Sequence, residues 1–368
     1  MLKKSLKKPF DPRFSSGPCK KYPTFTFDAF DISVLGRSHR SAKGTNLCET
    51  LIKNLKTVLE IPNDYEIAIV PGSAMGAVAT LIWNLLGPNP VEALVTDAFS
   101  KLWYEDATQQ LQLNVTEHNY FQTFKIPTLK DLDPLCDVLL TWNGTTSGVC
   151  LKKEDWMTRH KGLVVCDATS AVFCTDLPWD FLDATAFSFQ KGLGSEAAHG
   201  VIVLSPKALK RLETYTPSWP IPKFLRLKTD EVIHKSIFKG LTINTPSMMV
   251  LNDMILALKW AKSQGGLSYL IDRVQKNFQV VSTWIEQDNV SFLSPEYLSP
   301  ISPCLLFKNF DTWEKIQQLC QALQDQEIAY DVKGHKDAPF PCLRIWFGPT
   351  IEIQDLEDFL ESLRVLIL

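Results

Sequence analysis

The stretch "EIAIVPGSAMGAVATLIWNLLG", residues 66–87, decides the fold. It opens as a short β-rich run, passes a turn of small residues around Gly72, and continues as an apolar helix closed by Gly87. Other short apolar runs end in small or polar residues: "EALVTDAF" (92–99), "DVLLTWN" (137–143), "GLVVCDATS" (162–170), "DATAFSFQK" (183–191) and "GVIVLS" (200–205). Short buried strands separated by helical stretches predict an α/β fold with a mostly parallel sheet covered on both faces. Such sheets hold ligands beyond the carboxyl ends of their strands. Residues 72–75, 97–103, 143–147, 167–170 and 190–191 are therefore expected along one rim.

Upstream, "GTNLCETLIKNLKTVLEI" (44–61) carries Leu47, Leu51, Leu55, Val58 and Leu59 at helical spacing, with Pro62 just beyond. Downstream, "SMMVLNDMILALKWAKSQGG" (247–266) reads as a long helix stopped by Gly265 and Gly266, and a second helical pattern follows. The remainder, with "CLLFKNF", the helix "TWEKIQQLCQALQDQ" and "LRIWFG", reads as a small α+β domain. A chain of 368 residues exceeds one ordinary domain. The expected division is an N-terminal arm (1–13), a large domain (14–265) and a small C-terminal domain (266–368).

Hydrophobic residues at 45% and charged residues at 21% fit a globular protein, and a net charge of -3 gives no basic footprint for nucleic acid. Any anionic ligand must be caught by a local site. The nine cysteines are scattered and lack a C-x-x-C pair, which argues against a disulfide framework and a metal site. "MLKKSLKKPF" runs into Pro9 and Pro12 without the apolar core of a secretion signal, and no apolar run approaches the roughly 18 residues of a membrane span. A cytoplasmic protein without a membrane partner is expected.

Lys191, at the end of an apolar run and the start of a small-residue loop, reads either as a solvated loop lysine or as an amine desolvated enough to form a Schiff base. Asp167 also follows a strand. It could cap a helix, bind a metal or hold a protonated pyridine nitrogen, and with Lys191 it makes the pair that a pyridoxal phosphate site requires. The turn at Ser73 offers free N–H groups at a helix start, where a phosphate is stabilised, or else a plain N-cap. Trp103 can stack on a ring or fill core. Thr145 and Thr146 supply hydroxyls at a strand end or serve as turn residues.

The motifs "FSSGPCKKYP", "LGRSHRS", "TWNGTTSGV", "CDATSAVF", "FSFQKGLGSEAAHGVIVLSP", "ETYTPSWPIPKFLRL", "INTPSM" and "LRIWFGPT" together resemble the phosphoserine aminotransferase family, a branch of the class V aminotransferases. The resemblance runs in order from Phe14 to Ile353. It implies a fold type I transferase with a mixed, mostly parallel sheet, pyridoxal 5'-phosphate as cofactor, and a homodimer with active sites at the subunit interface. It makes Lys191 the Schiff-base lysine, Asp167 the partner of the pyridine nitrogen, Trp103 the stacking aromatic and Thr145 the threonine that contacts the ring. Ser73, Ala74 and Gln190 match the phosphate cup, with Asn244 and Thr245 reaching the same phosphate from the other subunit.

For substrate, His39 and Arg40 resemble the family's phosphate-binding pair, and Arg344 the arginine that clamps the α-carboxylate. His335 and Lys336 fall where some members have a His-Arg pair; Lys336 keeps the charge without the planar fork. Ser195 replaces a common glycine and Phe189 a common tryptophan, while Glu196 and His199 read as structural. The implied reaction exchanges an amino group between L-glutamate and 3-phosphohydroxypyruvate, giving O-phospho-L-serine and 2-oxoglutarate in serine biosynthesis, with a related reaction in pyridoxine biosynthesis. The alternatives are another class V enzyme such as alanine:glyoxylate aminotransferase, or a non-catalytic pyridoxal phosphate-binding protein.

Overall fold

The computed structural model describes residues 6–123, 126, 132–154, 160–286 and 290–368. The first five residues of the expected arm lie outside them. In chain order the strands are β1 (Glu66–Pro71), β2 (Val91–Val95), β3 (Val115–Asn119), β4 (Asp137–Thr141), the short pair β5 (Asn143–Gly144) and β6 (Val149–Cys150), β7 (Val164–Asp167), β8 (Ala184–Ser188) and β9 (His199–Leu204). A second short pair, β10 (Lys228–Thr229) and β11 (Val232–Ile233), precedes β12 (Val290–Phe292), β13 (Cys304–Phe307) and β14 (Leu343–Arg344). The helices are α1 (Ala42–Val58), α2 (Ser73–Leu85), α3 (Ala98–Glu105), α4 (Tyr120–Thr123), α5 (Pro206–Thr214), α6 (Met248–Gln264), α7 (Leu267–Ile285), α8 (Trp313–Asp325) and α9 (Ile353–Ile367).

Seven strands form one sheet in the order β1-β9-β8-β7-β4-β2-β3. Neighbours from β8 through β3 run parallel, while β9 lies antiparallel to both β8 and β1. The sheet is thus mixed and mostly parallel, as expected. Strands β2, β4, β7, β8 and β9 are buried at every position, which is why they read as continuous apolar runs.

Strand alternation sorts these runs onto two cores. Ile67, Ile69, Val138, Leu140, Val201 and Val203 pack against α1 and α6. Ala68, Val70, Leu139, Val165, Ile202 and Leu204 face α2, α3 and α5. On that second face Ala68, Ala93, Ala184 and Ala186 are small enough for α2 to approach closely. At Gly200 a Cβ would lie 2.3 Å from the Ser73 carbonyl oxygen and 2.6 Å from the Ala77 Cβ. The close seating of α2 fixes where its N-terminus opens.

The parallel strands end on one rim, in the register Thr141↔Asp167 and Asp167↔Ala186. The antiparallel β9 begins there, with His199 opposite Pro71. A second, three-stranded antiparallel sheet (β12-β13-β14) shares a separate core with α7, α8 and α9. The N-terminal segment joins that core. Phe14 is fully buried and stacks on Phe359 at 4.9 Å between centroids, while the Tyr330 N–H donates to the Pro12 carbonyl and the Trp346 N–H to the Phe14 carbonyl. From there the chain crosses to the rim of the large sheet, where the Cys19 N–H donates to the Gln190 carbonyl at 2.9 Å. No helix among the described residues is long and apolar enough to cross a membrane.

Candidate active site

At the rim, the ends of β1, β2, β4, β7 and β8 enclose a cavity of about 310 Å³ whose walls include Ser73, Trp103, Thr145, Asp167, Gln190 and Lys191. Each side chain is held by local geometry. Asp97 caps α3, its Oδ1 accepting the Phe99 N–H at 3.1 Å and the Ser100 N–H at 2.8 Å, while the Ser100 hydroxyl accepts the Asp97 N–H at 2.8 Å. Thr146, buried, accepts the Ala98 N–H at 2.8 Å and ties α3 to the β5–β6 turn. This double anchor directs Trp103 inward, where its indole N–H donates to Asp167 Oδ2 at 3.0 Å. The Asp167 Oδ1 accepts the Thr169 N–H at 3.0 Å.

Two N–H donors thus aim Asp167 at the cavity and favour its ionised form, against burial, which pushes its carboxyl above the ordinary value. The Asp97 carboxyl is pushed up to about 6, first by burial and then by the charge of Asp167. Its Oδ2 has no partner.

Helix α2 begins without a side-chain cap. Its N-cap is Gly72, in the left-handed region at φ 87°, and no side chain accepts from the first turn. The Gly72 and Ser73 N–H groups both reach the Ala198 carbonyl at 3.2 Å, and the Gly76 N–H bonds Gly72. Ala74 and Met75, in that uncapped first turn, line the cavity. A helix N-terminus with donors turned to a cavity stabilises an anion. Beside it the Ser73 hydroxyl donates to Gln190 Oε1 at 3.5 Å, and the Ser188 hydroxyl to the same oxygen at 2.5 Å.

Lys191 is roofed by the N-terminal segment. Its ammonium donates to the Ser16 carbonyl, and a Cβ on Gly17 would lie 2.5 Å from Nζ. Burial lowers its pKa, and the nearby Arg344 charge lowers it further. Lysine, Asp167 and the open helix start fit pyridoxal phosphate chemically: an amine for the aldehyde, a carboxylate for the ring nitrogen, and N–H donors for the phosphate. They lie on one rim because β7, β8 and β1 all end there.

The Arg344 guanidinium, on β14, has an unpartnered Nε, and burial lowers its pKa. His335, whose pKa is lowered by burial and by Arg344, sits 6.2 Å from the ring of the cavity residue Phe99. Its Nδ1 accepts the Asp337 N–H at 3.3 Å. Lys336, Arg40 and Thr245 are exposed; His39 and Asn244 are half-buried. None of these five lines the cavity of their own chain. The His199 Nε2 is buried and accepts the Ser247 N–H at 2.8 Å at the start of α6. Glu196 pairs with Lys21 at 3.0 Å.

Sequence reasoning missed Gly17, Pro18, Thr141 and Ala197 as wall residues. It placed Asp97 on the rim, within 97–103, without giving it a role of its own. Gly17 and Pro18 carried no signal beyond the motif that contains them, since Ser16 and Lys191 meet across 175 residues of chain.

No family model matches the chain. A phosphoserine aminotransferase of Methanosarcina mazei is 43% identical over 360 residues, 97% of each chain. The chain belongs to the phosphoserine aminotransferase family. A second member, from Methanosarcina barkeri, is 42% identical with the same coverage. Among solved structures, the family member from Cytophaga hutchinsonii superposes with a TM-score of 0.83 at 21% identity, covering 96% of this chain and 98% of that one. An alanine–glyoxylate aminotransferase of Nostoc shares the fold at a TM-score of 0.81 and 17% identity, covering all of this chain and 98% of the other. The fold is therefore common to several aminotransferases, and the sequence identity assigns this chain to the phosphoserine branch.

Proposed function

We propose that the protein is a pyridoxal phosphate-dependent phosphoserine aminotransferase, moving an amino group reversibly between L-glutamate and 3-phosphohydroxypyruvate to give O-phospho-L-serine and 2-oxoglutarate. The observation that carries this reading is the convergence of Lys191, the doubly hydrogen-bonded Asp167 and the uncapped start of α2 on one cavity.

Bound pyridoxal phosphate supplies an aldehyde that links to amines and a ring that draws electrons from the adjoining carbon. Asp167 keeps a proton on the ring nitrogen. Trp103 holds the ring in place and fixes the carboxylate behind it, and Thr145 borders the ring. Ser73, Ala74 and Gln190 form the phosphate cup. The lowered proton affinity of Lys191 would let its Nζ take up the substrate's α-proton and hold it for return. Arg344, without a carboxylate partner of its own, grips the substrate α-carboxylate. His39, Arg40, His335 and Lys336 complete the site for the distal phosphate or carboxylate.

The active form is a homodimer with shared sites. Asn244 and Thr245 lie outside their own cavity, and Ile32, Leu35, Leu241 and Met249 stand exposed on the same chain, a pattern of interface surface. Asn244 and Thr245 then serve the partner's phosphate cup. The chain divides into a large and a small domain near residue 266, where Gly265 and Gly266 break α6 from α7, with an N-terminal arm that packs on the small domain's core through Phe14. The enzyme works in the cytoplasm in serine biosynthesis, and a phosphorylated hydroxy-threonine in pyridoxine biosynthesis suits the same site.

The test is a transamination assay of the purified protein with 2-oxoglutarate and phosphoserine, serine or alanine. Phosphoserine should exceed the others by at least a hundredfold in kcat/KM, as expected where charged site groups would otherwise lack a partner. Equal rates with serine or alanine would overturn the substrate assignment. Light scattering at twice the chain mass checks the dimer.

A further inference from the structure

The cavity holds two buried carboxylates, and the functional reading above uses only Asp167. Asp97 is fully buried and lines the same wall. The Phe99 and Ser100 N–H groups converge on Oδ1, with the Ser100 hydroxyl shared between Oδ1 and the Asp97 carbonyl, and the Thr146 N–H adds a further pull on the carboxylate. Oδ2 has no partner at hydrogen-bonding geometry. A capping role needs one oxygen and leaves the second unexplained.

A bare carboxylate oxygen out of water is costly, and the group lowers the cost by keeping a proton or by finding a donor. The charged and titratable groups that act on Asp97 are Asp167 at the end of β7, Lys191 after β8, the Cys304 thiol at the start of β13 and Arg344 on β14. Lys191 and Arg344 favour its ionisation; Asp167 opposes it. Two buried carboxylates in one cavity divide the roles according to their hydrogen bonds. Asp167 receives an N–H on each oxygen and is the better anion. A bound phosphate ester adds negative charge to the same cavity. Linking Lys191 to an aldehyde also removes its free ammonium, so ligand binding tips Asp97 further toward the protonated form.

We infer that Asp97 is the neutral acid of the site: in the loaded enzyme its Oδ2 carries a proton and donates a hydrogen bond to an acceptor oxygen of the cofactor. This inference rests on the cofactor reading of the cavity. Asp97 is then a binding residue as well as the cap of the helix that carries Trp103. It makes cofactor binding take up a proton.

The experiment is calorimetric titration with pyridoxamine phosphate, which forms no link to Lys191, in buffers of different ionisation enthalpy near neutral pH. Wild type is compared with Asp97→Asn. Asparagine keeps the Oδ1 cap and places a permanent NH2 donor at the other position. Binding to wild type should take up most of one proton more than binding to Asp97→Asn. The variant should keep its affinity within about threefold and hold it as pH rises, while the wild-type affinity declines.

Equal proton uptake, or an affinity loss above tenfold in a variant with unchanged circular dichroism, would overturn the inference, because Asp97 would then be serving as an anion. Failure of wild type itself to bind would overturn the cofactor reading, and this inference with it. Should Asp97→Asn not fold, infrared difference spectra of wild type on binding decide. A new carboxylic-acid C=O band supports the neutral acid, and its absence refutes it.

Discussion

Replacing Trp103 by Phe isolates one hydrogen bond at the centre of the site. Phenylalanine keeps an aromatic ring against the cavity and deletes the N–H that donates to Asp167 Oδ2 at 3.0 Å. That oxygen is then left without its side-chain donor, and the Thr169 N–H alone holds the carboxylate. A hydrogen bond to a charged group contributes about 1.5–3 kcal/mol. At 1.36 kcal/mol per pKa unit, its loss raises the Asp167 pKa by about one to two units.

The sign follows from which form the bond favours. The indole stabilises the anion, so its removal adds to the upward push of burial. Less of the ionised form remains to hold the ring-nitrogen proton. Pyridoxal phosphate affinity, followed by the visible absorbance of the bound cofactor, should fall roughly 10- to 150-fold, the same energy expressed as a binding ratio. The acid limb of the kcat/KM profile should move up by the same one to two units. An affinity within twofold of wild type together with an unmoved acid limb would refute the reasoning.

Three other perturbations probe the supports of the site. Gly17→Ala puts a methyl group 2.5 Å from Lys191 Nζ at a backbone φ of 148° and should lower kcat about a hundredfold through the displaced amine, with a loss of about 1–3 kcal/mol in urea unfolding from the strained backbone. Lys20→Met removes a buried cation 3.1 Å from Asp355 and 3.3 Å from Asp11, leaving Asp355 buried and unpaired, and should cost about 3–5 kcal/mol in urea unfolding. His199 is held neutral by burial, which lowers its pKa, while its Nε2 accepts the Ser247 N–H. Its contribution is complete above the ordinary imidazole range and is lost as pH falls through the lowered value, so acid melting should be less steep in His199→Gln than in wild type.

The sheet was legible in the sequence because its strands are covered on both faces and read as unbroken apolar runs, from "DVLLT" to "HGVIVL". The direction of β9 was not legible. An antiparallel strand buried on both faces has the same composition as a parallel one. Lys191, Asp167 and the turn at Ser73 each follow a strand, so the rule placing ligands beyond carboxyl ends gathered them.

The roof over Lys191 escaped for a different reason. "SSGPCK" is anchored by long-range contacts, Lys20 to Asp355 and the Cys19 N–H to Gln190, which leave no periodic trace. The same holds for the core around Phe14, which the sequence assigned to the large domain and the fold packs on Phe359. His39, Arg40, Asn244 and Thr245 do not line the cavity of their own chain.

The most direct test of the account is the visible absorbance of the pyridoxal phosphate-loaded protein on addition of L-glutamate, in wild type and in Lys191→Ala. The account predicts that the wild-type band bleaches within one turnover and returns on adding 3-phosphohydroxypyruvate, whereas Lys191→Ala, still folded, shows neither change at a comparable rate. A wild-type band that persists unchanged with glutamate, or a Lys191→Ala protein that cycles as fast as wild type, would contradict it.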